Sequence, residues 1–404
     1  MAGVSNVQFK YSNGNLGGTN PSNDGVAGLI IQAPTPIAKL AFGVSKAIYS
    51  LDDAVNLEIT ELYDERNSCS VYGEISDYYA KTGGSGELWI MLVDDQTSMA
   101  DICNLQNSYA AKLLIDSGGN IRFWGVAMNR DANYSTQTPD GLDYDVFSAL
   151  ANAQALRDAF ALKRYMPTRV VLPGRAFSGD VSSLRNLKQG SDNGVMITLH
   201  GRQGSKEARV GFMLGLIASL PVQRNIGRVA SGDLGITEAY LTDGATKAEE
   251  LSGQTNDGVK ADIVHDKGYI FPVVRPSLNG FFYNDDSMAT SNIDDYNSLA
   301  NGRVIDKVQR IAYNVFAQRI NDDYALSPEG KIGVAELKSL QGSIEDAINP
   351  TMVSGGELSS FACYVDPNQD PIAAGKIVVK LKAQPRGYHK HIEVELGFVK
   401  SQIS

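Results

Sequence analysis

From residue 84 onward the chain alternates short apolar runs with amphipathic stretches. The runs LWIMLVD (88–94), IRFWGVAM (121–128), TRVVLPG (168–174) and GVMITLHG (194–201) are nearly continuous in apolar residues, which predicts strands buried on both faces. Between them the spacing predicts helices over 98–115, 144–164, 180–188 and 208–220. Buried strands alternating with helices indicate an α/β fold, a mainly parallel sheet core flanked by helices.

After Pro221 the pattern loosens into Gly- and Asp-rich loops, interrupted by one predicted strand, GYIFPVVRPS (268–277). A long helix is predicted from Asn301, because Val304, Val308, Ile311 and Val315 form one apolar stripe with Ile305, Ala312 and Phe316 beside it. A second helix follows over 334–348, with Leu337, Leu340, Ile344 and Ile348 on its inner side, then a strand, SFACYVD (360–366). At the other end, residues 1–27 are too rich in Gly, Asn and Ser to bury a core, and they predict an extended arm in which Val7 and Phe9 alternate with polar neighbours. The chain therefore divides into an N-terminal extended arm (1–27), an α/β core (28–300), a C-terminal α+β domain (301–374) and a C-terminal strand arm (375–404).

In that last arm Ile377, Val379, Leu381 and Ala383 share one face, with Lys376, Lys380 and Lys382 opposite. Further on, Ile392, Val394, Leu396 and Phe398 share a face, with Glu393 and Glu395 opposite. Two arrangements satisfy this alternation. A local hairpin sets Leu381 against Ile392, Val379 against Val394 and Lys380 against Glu393. Alternatively, one strand or the pair adds to a sheet in a neighbouring copy through main-chain hydrogen bonds. The linker-like DPNQDPIAAG before it favours export, as does its charge: Lys376, Lys380, Lys382, Arg386, Lys390 and Lys400 outnumber the two glutamates in an otherwise acidic chain.

With 404 residues, 43% of them hydrophobic, there is material for a large core. A formal net charge of −10 argues against nucleic acid or an anionic membrane as the main partner, since both select basic surfaces. Cys69, Cys103 and Cys363 are odd in number and far apart, so they read as reduced thiols. The opening MAGVSNVQFK has no basic segment followed by an apolar run, and the apolar stretch 210–222 is shorter than a bilayer span. A soluble, cytoplasmically assembled protein is expected.

Candidate chemistry is sparse. His389 and His391 share a strand face, as in some metal sites, but no third ligand lies near them, and His200 and His265 stand apart. The loop HGRQGSKEAR follows a strand and precedes a helix, where phosphates are often held. Its Gly201 and Gly204 enclose two residues rather than four, and Ser205 precedes Lys206, so a tight turn is the better reading, with a phosphate-binding enzyme using the stretch from Gly201 to Lys206 as the alternative. GGSGELW precedes a strand rather than linking strand to helix. Asp94 with Asp95, and Asp285, Asp286, Asp294 and Asp295, lack the spacing of a calcium loop and read as solvated surface. Neither an enzyme, a metal nor a cofactor is called for.

The order of segments resembles the contractile tail sheath family of phages and related injection machines. GVAGLIIQAP followed by FGVSKAIYSLDDAVN is similar to the strand and helix that open a sheath subunit, and GNIRFWGVAMNRD to a core strand. NGRVIDKVQRIAYNVFAQRIND is similar to the long Arg-bearing helix leading into the C-terminal domain, and the stretches VAELKSLQGSIEDAINPTMVSGG and IVVKLKAQPRGYHKHIEVELGFV follow in sheath order. The resemblance implies a homo-oligomer of stacked hexameric rings around an inner tail tube, meeting baseplate and tail terminator proteins, in a virion tail or contractile particle assembled in the host cytoplasm. It also implies terminal arms woven into adjacent subunits, with Val7, Phe9, Ile377, Val379, Leu381, Ile392, Val394 and Leu396 as the contacts. Arg303, Lys307 and Arg310 make a basic stripe at helical spacing that fits either a solvated helix face or an acidic tube.

Overall fold

The computed structural model describes residues 24–131, 133–252, 259–324, 326–327, 330–390 and 392–398. Strand β1 (Ala27–Ala33), buried along its whole length, lies inside a six-stranded sheet with β2 (Ser45–Ile48), β3 (Leu88–Asp94), β4 (Phe123–Ala127), β5 (Arg169–Pro173) and β6 (Val195–Thr198). The strand order is β2-β3-β1-β4-β5-β6, and every pair is parallel except β2 with β3. Helices α1 (Val71–Lys81), α2 (Ala110–Asp116), α3 (Tyr144–Lys163) and α4 (Val210–Ser219) supply its cover.

Alternation along buried strands sends successive side chains to opposite faces, and each face has its own core. Ile30, Met91, Trp124, Val170 and Ile197 pack with residues of α2 and α3. Leu29, Ile31, Ile90, Phe123, Val171 and Met196 pack with residues of α1 and α4. Burying each large side chain of these sets stabilises the fold by about 2–3 kcal/mol. Helices α1 and α4 approach closely because α4 carries Gly211 and Gly215: a Cβ there would lie 1.9 Å from the Glu74 carbonyl oxygen and 2.5 Å from that of Tyr78.

Several predicted boundaries shift for local reasons. The helix expected over 180–188 does not form. Asp180 accepts the Ser182 amide at 2.8 Å while Ser183 donates its hydroxyl to the Asp180 carbonyl, so side chains satisfy the backbone in turns instead. The helix expected over 98–115 breaks into Met99–Cys103 and α2, with Asn104 accepting the Gln106 amide at the break. The strand expected over 268–277 shortens to Pro272–Val273. Past β6 the chain forms a small antiparallel pair, β7 (His200–Gly201) with β8 (Tyr240–Leu241).

The first turn of helix α5 (Leu299–Ala317) is capped by Asp286, whose carbonyl accepts the Leu299 amide at 2.8 Å and whose carboxylate accepts that of Ala300 at 3.0 Å. Asp285 and Asp286 are buried, and the Asn225 amide donates to both. They are therefore not the solvated surface expected of them; an anionic side chain at a helix N-terminus is held by the helix itself. Val304 and Val308 are buried as predicted, but so are Arg303 and Asp306, while Ile311 and Val315 are half-buried. Arg169 explains the difference. Its guanidinium holds both Asp306 oxygens at 2.7 Å and reaches the Gly302 carbonyl at 3.1 Å, fastening α5 to β5.

The chain divides into two compact units at Ala317 and Gln318, so α5 counts with the first. In the second unit α6 (Val334–Ile348) buries Leu337, Leu340, Ile344 and Ile348 as predicted. Strand β9 (Ser360–Val365) buries Phe361, Cys363 and Val365, and the Glu345 carboxylate accepts the Cys363 amide at 2.8 Å. Strand β10 (Val379–Gln384) pairs antiparallel with β9, Leu381 opposite Cys363 and Val379 opposite Val365. The architecture is thus a mostly parallel sheet core flanked by helices, with a smaller C-terminal α+β unit.

Candidate functional site

In open α/β sheets ligands bind outside the carboxyl ends of the strands where the strand order reverses, here between β1 and β4. That crevice is filled by the chain itself. The Gln32 amide donates to the carbonyls of Asp95 (3.1 Å) and Thr97 (2.6 Å) and accepts the Asn129 N–H (3.0 Å). Asn129 donates back to the Gln32 carbonyl at 2.8 Å and accepts the Ser70 amide at 2.9 Å. Beside them Arg130 pairs with buried Asp145, whose carboxylate also accepts the Met99 and Ala100 amides at 2.7 and 3.1 Å. These residues lock loops together and leave the crevice's polar groups turned on one another.

The loop between Gly201 and Lys206 has the same character. Gly201 is bound into the β7–β8 pair and bridges to Ala208. Where an anion would meet the α4 N-terminus, Glu74 of α1 accepts the Gly211 amide at 2.6 Å. The loop's arginines are engaged too: Arg202 donates to Glu74 (2.7 Å) and Asp77 (2.6 Å), and Arg209 to Asp77 (2.6 and 3.0 Å). A carboxylate pair of the protein occupies the electrostatic niche a phosphate needs, which disfavours the enzyme alternative. His200, fully buried, is hydrogen-bonded through Nδ1 to the Tyr283 hydroxyl at 2.7 Å. Burial, reinforced by the charges of Arg209, Arg202 and Lys81, holds its imidazole well below the ordinary value of 6.5, so it is neutral.

Among the described residues no group of His, Cys, Asp and Glu could hold a metal ion. Burial pushes the thiols of Cys69 and Cys363 up to about 12 and about 11, with Asp64 and Glu345 adding to it, and raises Cys103 as well. Thiols so held carry little thiolate at neutral pH. No helix among the described residues is long and apolar enough to cross a membrane. An open groove of about 360 Å³ between α3 and α5 has the internally satisfied Arg169–Asp306 pair in its lining.

The sites read as assembly contacts are distributed as follows. Val7 and Phe9, with His391, lie outside the described residues. Ile377, Val379 and Leu381 are half-buried, the last two in β10. Among the described residues the local hairpin is not formed: residues 392–398 make no strand, and Ile392, Val394 and Leu396 are 77%, 67% and 93% exposed. Leu381 instead lies opposite Cys363 of β9, a strand already tied to α6 through Glu345. Among the described residues neither outer edge of the β9–β10 sheet carries a further strand. The basic stripe lies against Asp24: Lys307 and Arg310 each reach its carboxylate at 2.7 Å, and buried Arg303 reaches its carbonyl at 3.4 Å.

Gln32, Glu74, Asp145 and Asp306 were not singled out from the sequence. One signal existed: Glu74 falls on the helix face made by Val71, Ile75 and Tyr78, where an acid is out of place unless partnered. Nothing local marks Gln32 or Asp145.

Comparison with family models accounts for most of the chain: the DUF2586 N-terminal domain matches residues 4–287 and the DUF2586 C-terminal domain residues 295–402. The chain belongs to the DUF2586 family. Two solved chains share the fold of this DUF2586 protein end to end. One comes from the cryo-EM structure of the anti-feeding prophage (AFP) baseplate, 6-fold symmetrised, with a TM-score of 0.59, 14% identity, and 98% of this chain and 99% of that one covered. The other comes from the sheath complex of an extracellular contractile injection system, PVC, in the contracted state, with a TM-score of 0.60, 11% identity, and coverage of 99% and 98%. At such identities the likeness is one of fold. No curated protein matches the DUF2586 chain.

Proposed function

We propose that this protein is a structural subunit of a contractile tail sheath, stacking as hexameric rings around an inner tube and driving that tube through a target envelope by contraction. The observation that carries the reading is the end-to-end likeness, second unit included, to a chain from a contracted sheath complex. A likeness confined to the parallel sheet would mean little, since that architecture hosts many functions. The filled crevice and the occupied α4 N-terminus agree with a protein whose core is built to be rigid rather than to bind small molecules.

Rings need links that survive movement of rigid cores, and the second unit offers the means. An open-edged two-stranded sheet and an uncovered apolar segment, Ile392 to Phe398, are complementary features for strand addition between copies. In this reading the chain ahead of Asp24 and the chain after β10 are the exchanged parts of the arms 1–27 and 375–404. Val7, Phe9, Ile392, Val394 and Leu396 reach neighbouring copies, while Ile377, Val379 and Leu381 lie on or beside β10, whose edge receives a neighbour's strand. The partners are like subunits, a tube protein, and baseplate and terminator proteins of a tail or contractile particle assembled in the host cytoplasm.

Negative-stain microscopy of the purified chain, alone and with its tube protein, tests this directly: striated tubes are expected, and discrete particles under all conditions sink the proposal. A chain ending at Pro385 keeps β10 and so keeps the second unit folded. It should have the circular dichroism and melting profile of the full chain yet form no tubes.

A further inference from the structure

The root of the N-terminal segment is held by an arrangement that the sheath reading does not require. Both oxygens of Asp24 are taken by different cations of α5, Oδ2 by Lys307 and Oδ1 by Arg310, each at 2.7 Å. One turn earlier on the same helix flank, Arg303 donates to the Asp24 carbonyl at 3.4 Å and to that of Leu220 at 3.1 Å. The pairs are largely sheltered, with 13% of the Asp24 side chain, 18% of Lys307 and 16% of Arg310 exposed. They are consequently little weakened by bulk water and salt compared with surface pairs. Burial opposes ionisation of Asp24, yet the Lys307 hydrogen bond and the charges of Lys307, Arg310 and Arg303 together hold its carboxyl below the usual value.

Immediately after Asp24 come the first rungs of β1. The Val26 carbonyl accepts the Arg122 amide at 2.9 Å, and the Ala27 amide donates to Glu87 at 3.3 Å. A force applied at the end of a strand opens such rungs one at a time, each a weak net contribution. A carboxylate gripped ahead of them by charge-assisted bonds must instead release several contacts together. Helix α5 is itself fastened to β5 through Asp306 and Arg169, so the grip ends on the core.

We propose that Asp24 is a mechanical anchor, which diverts a pull on residues 1–23 into α5 and away from the first rungs of β1. The cations of the basic stripe, which the sequence leaves open between a solvated helix face and an acidic tube, are on this inference the receiving half of that anchor. That the pull arises from a neighbouring copy rests on the sheath reading; the anchor itself does not.

Hydrogen exchange on the full, unassembled chain tests it. In Asp24→Asn the amides of Ala27 and Arg122 should exchange at least about tenfold faster, with those of β5 unchanged. The double variant Lys307→Met, Arg310→Met should give the same increase, and adding Asp24→Asn to it should add nothing. Unchanged exchange at Ala27 and Arg122, or an equal acceleration throughout β5, overturns the anchor. A second measurement separates the two proposals: tubes of Asp24→Asn should shear at lower flow rates than wild-type tubes. If wild-type chains form no tubes at all while the exchange result holds, the sheath reading fails and the anchor stands.

Discussion

Glu74 accepts the backbone N–H of Gly211 at 2.6 Å, so that a carboxylate from α1 sits on the N-terminus of α4. Its other oxygen holds Arg202, and the contact is possible only because Gly211 lets the two helix backbones touch. One interaction thus ties helix packing, loop conformation and the loss of an anion site together.

Replacing Glu74 by Ala should lower stability by about 3 kcal/mol, as expected when one member of a buried ionic cluster is removed and its partners remain. Urea denaturation would measure the loss. The variant should still give no thermal shift with inorganic phosphate, since Asp77 continues to hold both arginines; a clear shift would revive the phosphate-binding reading.

The glycines of α4 supply a sharper comparison. Gly211→Ala and Gly215→Ala place a methyl group inside the backbone of α1 and should each cost about 3 kcal/mol through forced separation of the helices. Gly342→Ala, within α6 where a Cβ meets nothing within 4 Å, should instead add about 0.5–1 kcal/mol. Denaturation midpoints of the three variants test whether close approach, rather than helix propensity, governs α4.

Asp306 is buried against Arg169, with Arg157 at 3.3 Å as its second cation. Arg169→Met leaves that acid with Arg157 alone, strips the Gly302 and Asn193 carbonyls of their donor and should destabilise by about 3 kcal/mol. Combining it with Asp306→Leu should restore most of the loss. If the double variant is no better than the single one, packing rather than charge explains the pair.

His200 predicts a pH dependence. Its folded-state value lies below the ordinary 6.5, so the unfolded chain binds the proton more readily. Stability from this residue is therefore complete above pH 6.5 and declines as the pH falls below it, by up to about 1.4 kcal/mol per unit. Denaturation at pH 7.5 and pH 5.0 should show that slope in the wild type and less of it in His200→Gln. Equal slopes would assign the effect to other groups.

The legible parts of the fold are those where neighbouring residues in sequence share one environment. The run 88–94 is buried along nearly its whole length and became β3 with the expected bounds, and α6 buries the four residues its periodicity named. The range 180–188 forms turns rather than the expected helix because Asp180 and the serines after it satisfy the backbone locally, a competition invisible to hydrophobic spacing. The terminal strands show the same limit from the other side: alternation established which faces are apolar, but not which partner covers them.

What the sequence by itself determined is the α/β class, the two-sided burial of the sheet and the amphipathic helices, because periodicity is a property of adjacent residues. Tertiary structure alone decided the pairing of charges. Asp24 meets Lys307 and Arg310, Asp306 meets Arg169, and Glu74 meets Arg202 across separations of more than a hundred residues. A buried charge must find an opposite charge or a hydrogen-bond donor, but which one it finds is set by the strand order and helix packing that bring distant segments together.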